Sequence, residues 1–114
     1  MVSKFVLFPA VIASGQSVSA DVDTGGATVL MIGLPSAWTA ADLTFQVGDG
    51  LGGWMNLHSA DGTEYTVKAA AGRCVLLPPA DFARVRYLRV RSGTSATPVA
   101  QAAERTVQLH ARQL

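Results

Sequence analysis

A chain of 114 residues, 49% hydrophobic and only 15% charged, is long enough to bury one core but not two, and too apolar to stay disordered. Its net charge of +1 is too small to neutralise a run of phosphates, which argues against a nucleic-acid partner. With Cys74 as its single cysteine the chain has no intrachain disulfide, so its fold rests on burial alone, as suits a reducing cytoplasm.

Lys4 and the apolar run Phe5 to Ala13, followed by Val18-Ser19-Ala20, have the makings of a secretory leader. The segment is read here as retained: residues 1–13 are expected to form an edge strand or an apolar arm packed on a neighbour. No run reaches the roughly 18 apolar residues of a membrane span, and no membrane partner is expected. Gln16 to Val22 alternates, with Val18, Ala20 and Val22 on one side, which predicts a half-buried strand ending at Thr24-Gly25-Gly26. Ala27 to Leu34 is apolar on both parities, the pattern of a central strand covered on both faces, and Pro35 closes it.

Leu43, Phe45 and Val47 alternate with Thr44 and Gln46, Gly48 to Gly53 turns the chain, and Trp54 to Leu57 returns antiparallel, a hairpin. After the turn at Asp61-Gly62, Tyr65 and Val67 mark a short strand; Gly72 opens another that runs to Leu77 and stops at Pro78-Pro79. Further on, Leu88 and Val90 share a face with Arg86, while Tyr87, Arg89 and Arg91 share the other, which must point outward because cationic heads rarely enter a core unpaired. Thr106 to Ala111 turns Val107, Leu109 and Ala111 inward. About eight strands, with no helix-length amphipathic pattern, predict one all-β domain spanning 1–114, an antiparallel β-sandwich or jelly roll. The charge is uneven along it: residues 1–72 hold two lysines against six acidic residues, and 73–114 hold seven arginines against two. Such an asymmetry orients a protein toward a charged partner unless the halves interleave.

Little in the sequence carries chemistry. Gly48-Asp49-Gly50-Leu51-Gly52-Gly53 lacks the Gly-Lys-Ser/Thr of a phosphate loop and precedes a strand, so it reads as a hairpin loop. Asp49, Asn56 and Asp61 do not have the spacing of a calcium loop, and His58 and His110 are too far apart to suggest zinc. Cys74, followed by Val75, Leu76 and Leu77, is expected in a buried strand, as a small hydrophobe and not a nucleophile. Trp38 and Trp54 lie at strand ends, where they close the rim of a sandwich or, on the alternative reading, offer stacking rings to a sugar. Tyr87, Arg89 and Arg91 belong to residue types enriched where proteins grip one another. No catalytic residue, cofactor or metal is expected.

The order Trp38-Thr-Ala-Ala-Asp-Leu-Thr-Phe-Gln-Val47, a Gly turn, Trp54 and Leu57, Asp61-Gly62, Gly72-Arg73 and Tyr87-Leu-Arg-Val-Arg-Ser-Gly93 resembles small β-sandwich virion proteins of tailed bacteriophages and prophages, over roughly residues 28–110. It is similar also to galactose-binding-like jelly rolls. The phage resemblance implies a structural role in the virion, best matched by a capsid decoration or cement protein, made in the bacterial cytoplasm and bound to the major capsid protein. It further implies a homo-oligomer, a trimer in proteins of that type. On this reading Phe5, Val6, Leu7 and Phe8 form an apolar arm on neighbouring subunits, and Tyr87, Arg89 and Arg91 supply a polar grip. The alternative is a carbohydrate-binding or connector module of a phage tail or neck, with Trp38 and Trp54 as its stacking rings.

Overall fold

The computed structural model describes residues 4–113. Its strands are β1 (Lys4–Ile12), β2 (Val22–Asp23), β3 (Thr28–Gly33), β4 (Leu43–Gly48), β5 (Trp54–Asn56), β6 (Cys74–Leu76), β7 (Tyr87–Ser92) and β8 (Arg105–Gln113), with a 3₁₀ turn at Pro79–Phe82. They form two four-stranded sheets, ordered β1-β8-β3-β6 and β2-β7-β4-β5, in which neighbouring strands run antiparallel. We refer to these as sheets A and B.

The pairing has a simple logic. β1 pairs with β8, β2 with β7, β3 with β6 and β4 with β5, as though the chain were first doubled into one long hairpin. Winding that hairpin adds the ladders β8–β3 and β7–β4 and yields two sheets, which is the jelly roll. The tip of the hairpin is the Gly48–Gly53 loop. There the Asp49 carboxylate accepts the N–H groups of Leu51 (2.7 Å) and Gly53 (3.0 Å), while Gly50 takes φ +80° with the Tyr87 ring packed where its Cβ would stand. The glycine-rich stretch therefore serves the turn itself.

Both sheets contribute to one core. Ala10, Ile12, Val29, Ile32, Val107 and Leu109 of sheet A face Leu43, Phe45, Leu88 and Val90 of sheet B, each at most 1% exposed. Between the strands, Phe82 is delivered by the 3₁₀ turn and meets Phe45 edge-on at 5.4 Å and Tyr65 at 5.4 Å. The Tyr65 hydroxyl donates to Asp81 at 2.6 Å; burial and that bond both push its pKa up. Truncating a ring of this cluster to alanine removes about 3–5 kcal/mol of stability, the usual cost of an aromatic-sized core cavity.

The structure corrects four of the expectations. Residues 65–67 form no strand, only isolated bridges at His58–Glu64 and Leu43–Val67, because their side chains pack on the core from a loop. Gln16–Val22 is largely irregular, touching β7 through a Val18–Arg91 bridge before the two-residue β2. The double apolar parity of Ala27–Leu34 has a local cause: a bulge between Val29 and Met31 shifts the phase, so that Val29 and Ile32 both point inward although three residues separate them. Finally, Cys74 is exposed, since in the short edge strand β6 it is Val75 that packs on the core.

The N-terminal segment is the edge strand of the two forms expected for it. β1 is nine residues long and registers on β8 from Lys4–Gln113 to Ile12–Arg105. Residues 1–3 lie outside the described residues. Pro9, which has no N–H to donate, sits where an edge strand tolerates it.

Candidate binding face

The residues expected to grip a partner divide between the two sheets. Tyr87, Arg89 and Arg91 do project from the outer side of sheet B, opposite Gly48, Gln46 and Thr44 of β4. They are not a free cationic surface. Arg91 is only 5% exposed, because the segment running from Asn56 to Glu64 folds over it. Its guanidinium donates to Asn56 Oδ1 at 2.6 Å and to Glu64 Oε2 at 3.3 Å. Arg91 thus faces outward from the sheet as expected but is not available at the surface, for the very reason the expectation was made: a cation leaves water only when paired.

Arg89 is held by Asp21 at 2.6 Å and lies over the Trp54 ring with its guanidinium carbon 3.9 Å from the centroid. Arg86 pairs with Asp23 at 2.9 Å. Acidic residues of the first part of the chain therefore meet arginines of the second, and the charge asymmetry of the sequence cancels by pairing in space. The carboxylates show it. Burial pushes the Glu64 carboxyl up, but hydrogen bonds from Ser95 and the nearby charges of Arg91 and His58 outweigh this and leave it below its ordinary range. The Arg86 bond, with the Gly25 N–H, lowers Asp23 as well.

Neither tryptophan is a bare platform. Trp38 packs partly buried against the core and donates its indole N–H to the Ala41 carbonyl at 3.1 Å. Trp54 leans on Gly48 and carries Arg89 on its ring. A shallow depression of about 170 Å³ beside it is lined by Asp21, Gly50 and Tyr87 among others.

Sheet A is different. On β1 the residues expected to form one arm point to opposite sides: Val6 and Phe8 are half-buried toward the core, whereas Phe5 and Leu7 are 79% and 51% exposed. The register carries this outer side across the whole sheet. Leu7 lies opposite His110, His110 opposite Met31, and Met31 opposite Leu76, itself 79% exposed. The next row reads Pro9, Gln108, Gly33 and Cys74. Antiparallel sheets ordinarily turn a polar face to water, yet among the described residues of this one the outward charged side chains stand at or just beyond the two ends of β8. Arg112 is at one, its guanidinium over the Phe5 ring at 4.9 Å. Glu104 immediately precedes the other, where it lines a cleft of about 470 Å³ between Thr106, Gln108 and His110 on one side and Pro35 and Ser36 on the other. The Gln108 amide oxygen is buried there without a hydrogen-bond partner.

Sequence reasoning missed this face because its members lie on four strands whose order it left open; the outward row Thr106, Gln108, His110 on β8 was the available signal. Among the described residues no three His, Cys, Asp or Glu side chains gather where they could hold a metal, and no helix is long and apolar enough to cross a membrane. Comparisons with known protein families, with curated proteins and with solved structures found no match to this chain.

Proposed function

We propose that this protein is a structural component of a phage virion, of the decoration or cement type, which works by binding other proteins of the shell and performs no catalysis. One observation carries the reading: the outer face of sheet A leaves Phe5, Leu7 and Leu76 exposed around a row of uncharged polar side chains, Thr106 and Gln108 among them. Exposed apolar patches of this extent mark protein contact surfaces. The jelly roll is a fold that viral capsid proteins and lectins share, and the phage-like strand motifs favour the first of these. A protein that binds only the assembled shell stabilises it by mass action, and many copies multiply a modest contact.

The test is quantitative. Purified particles should carry the chain in hundreds of copies, and a Leu7→Glu/Leu76→Glu variant, altered only at exposed positions, should stay folded yet fail to decorate particles. Absence of the chain from particles overturns the proposal, while a handful of copies moves it to a tail or neck connector. A second reading, a carbohydrate module, is favoured by the depression beside Trp54 and Tyr87. Binding of a glycan there should displace Arg89 from the indole and shift tryptophan emission; a glycan array without hits removes it.

A further inference from the structure

We propose that the cleft at the start of β8 receives a carboxylate of the shell protein to which this chain binds, with Arg105 as its partner. The inference rests on the reading of sheet A as a protein contact face and names the group that the face takes hold of. The cleft is a gap in the sheet. The β3–β8 ladder ends at the Gly33–Gln108 pair. Two residues on, Pro35 has no N–H with which to extend it, and its carbonyl accepts the Gly72 N–H instead. The two segments meet again at Thr39. There the Thr39 N–H donates to Gln101 Oε1 at 2.9 Å, its carbonyl accepts from Gln101 Nε2 at 3.0 Å, and its hydroxyl accepts the Ala102 N–H at 3.1 Å. Between these two clasps no main-chain hydrogen bond joins residues 34–38 to residues 103–107 among the described residues.

Arg105 stands in this gap. It shares the parity of the buried Val107 and Leu109, whereas Thr106, Gln108 and His110 have the other parity. All but the buried pair line the one cavity of about 470 Å³, so the cavity opens through the sheet, with a volume typical of sites that enclose small groups. Arg105 is half-buried, its Nε is shut off without a hydrogen-bond partner, and it makes no ion pair among the described residues. A guanidinium so placed burdens the fold by itself and is matched by a ligand offering two oxygens in one plane. The floor of the cleft is bare as well. Gly33 has no positive φ to demand glycine, and a Cβ there would meet His110 Nε2 at 3.5 Å and Cys74 Sγ at 3.7 Å, ordinary contacts. The missing side chain leaves room.

A singly charged carboxylate suits this cleft better than a phosphate, because Glu104 also lines it and opposes a second negative charge. A turn of the Gln108 amide brings its unpartnered oxygen to a peptide N–H, and the Ser36 and Thr106 hydroxyls serve the peptide groups on either side. His110 lines the cleft and also stands in the row of Leu7, Met31 and Leu76. A segment anchored at Arg105 therefore continues over the exposed apolar side chains, which favours a protein over a free sugar acid.

Three capped tripeptides test the site by NMR titration of the isotope-labelled full chain. Acetylated and amidated Ala-Glu-Ala offers a side-chain carboxylate, acetylated Ala-Ala-Ala with a free carboxyl end offers a chain terminus, and acetylated and amidated Ala-Gln-Ala is the neutral control. At least one of the acidic peptides should shift the Arg105 Nε–H and Gln108 side-chain resonances with a Kd on the order of 1 mM, and which one does so tells a side chain from a chain end. Arg105→Gln should weaken that binding at least tenfold and reduce particle decoration by the same factor, yet leave the urea midpoint unchanged or higher; an arginine that only holds the fold together would lower it. Gly33→Ala, which fills the floor, should weaken binding at least threefold and takes the place of Arg105→Gln should the latter fail to fold by circular dichroism. No response to either acidic peptide, equal binding of the neutral control or tighter binding of glucuronate, or a lowered midpoint in Arg105→Gln overturns the inference. Decoration undiminished by Arg105→Gln also overturns it and leaves the virion reading standing, whereas peptide binding by a chain that never joins particles removes the virion reading and leaves the carboxylate site.

Discussion

The outer faces of the two sheets handle the same problem in opposite ways. Sheet B carries arginines on its outer side and consumes them internally: Arg91 in Glu64 and Asn56, Arg89 in Asp21 and Trp54. Sheet A carries Leu7, His110, Met31 and Leu76 in one row and leaves Leu7 and Leu76 exposed. Chemical type alone pointed the other way, since Arg and Tyr are favoured contact residues and a strand of Leu and Met reads as interior. Availability decides instead. A side chain whose bonding capacity is filled within its own fold has little left for a partner, whereas exposed apolar surface gains about 25 cal/mol for each Å² that a partner covers.

That contrast predicts unequal responses to substitution. The largest belongs to Arg91→Ala, which strands the Glu64 carboxylate, 15% exposed, and the Asn56 amide. Urea unfolding should show a loss of about 3 kcal/mol, as for other broken, largely buried ion pairs; a loss under 1 kcal/mol would mean that the pair is effectively solvated. Acid acts on the same network. Glu64 is held below its ordinary range in the fold, so the stability it contributes is complete above the unfolded value of about 4.3 and drains away as pH falls through the lower folded value. Asp42, bonded by Ala69 N–H and Lys68, shifts the same way. The urea midpoint should therefore drop between about pH 5 and pH 3, and Glu64→Gln should flatten that slope.

Smaller effects follow. Arg89→Ala should cost about 1 kcal/mol and shift tryptophan emission, because the guanidinium leaves the Trp54 ring. On sheet A, Leu76→Ser should change the unfolding free energy of the dilute chain by no more than about 0.5 kcal/mol while weakening its binding to particles. Equal losses of stability on both faces would erase the distinction between them.

What could be read from the residues alone followed the range of the forces involved. The β4–β5 hairpin was legible because Leu43, Phe45 and Val47 alternate and the glycines sit beside them in sequence; the inward set Val107, Leu109 and Ala111 was legible for the same reason. The cover on Arg91 was not, since Glu64 reaches it from 27 residues away through a loop. The bulge at Leu30 also escaped: a phase shift and a strand covered on both faces leave the same apolar pattern. Phe5 to Phe8 had the right composition for an interaction segment, but the pleat of β1 sends alternate residues to the core and to the surface. Strand order, and with it the row that crosses sheet A, depends on pairings between distant segments.

The nested pairing has a bearing on biosynthesis. Lys4 finds its register only against Gln113, so β1 leaves the ribosome long before its sole neighbour in the sheet exists. Cotranslational folding can set the β4–β5 tip early, but sheet A closes only once β8 has been made, and until then a nine-residue strand with Phe5 and Leu7 exposed is open to chaperones and misassembly.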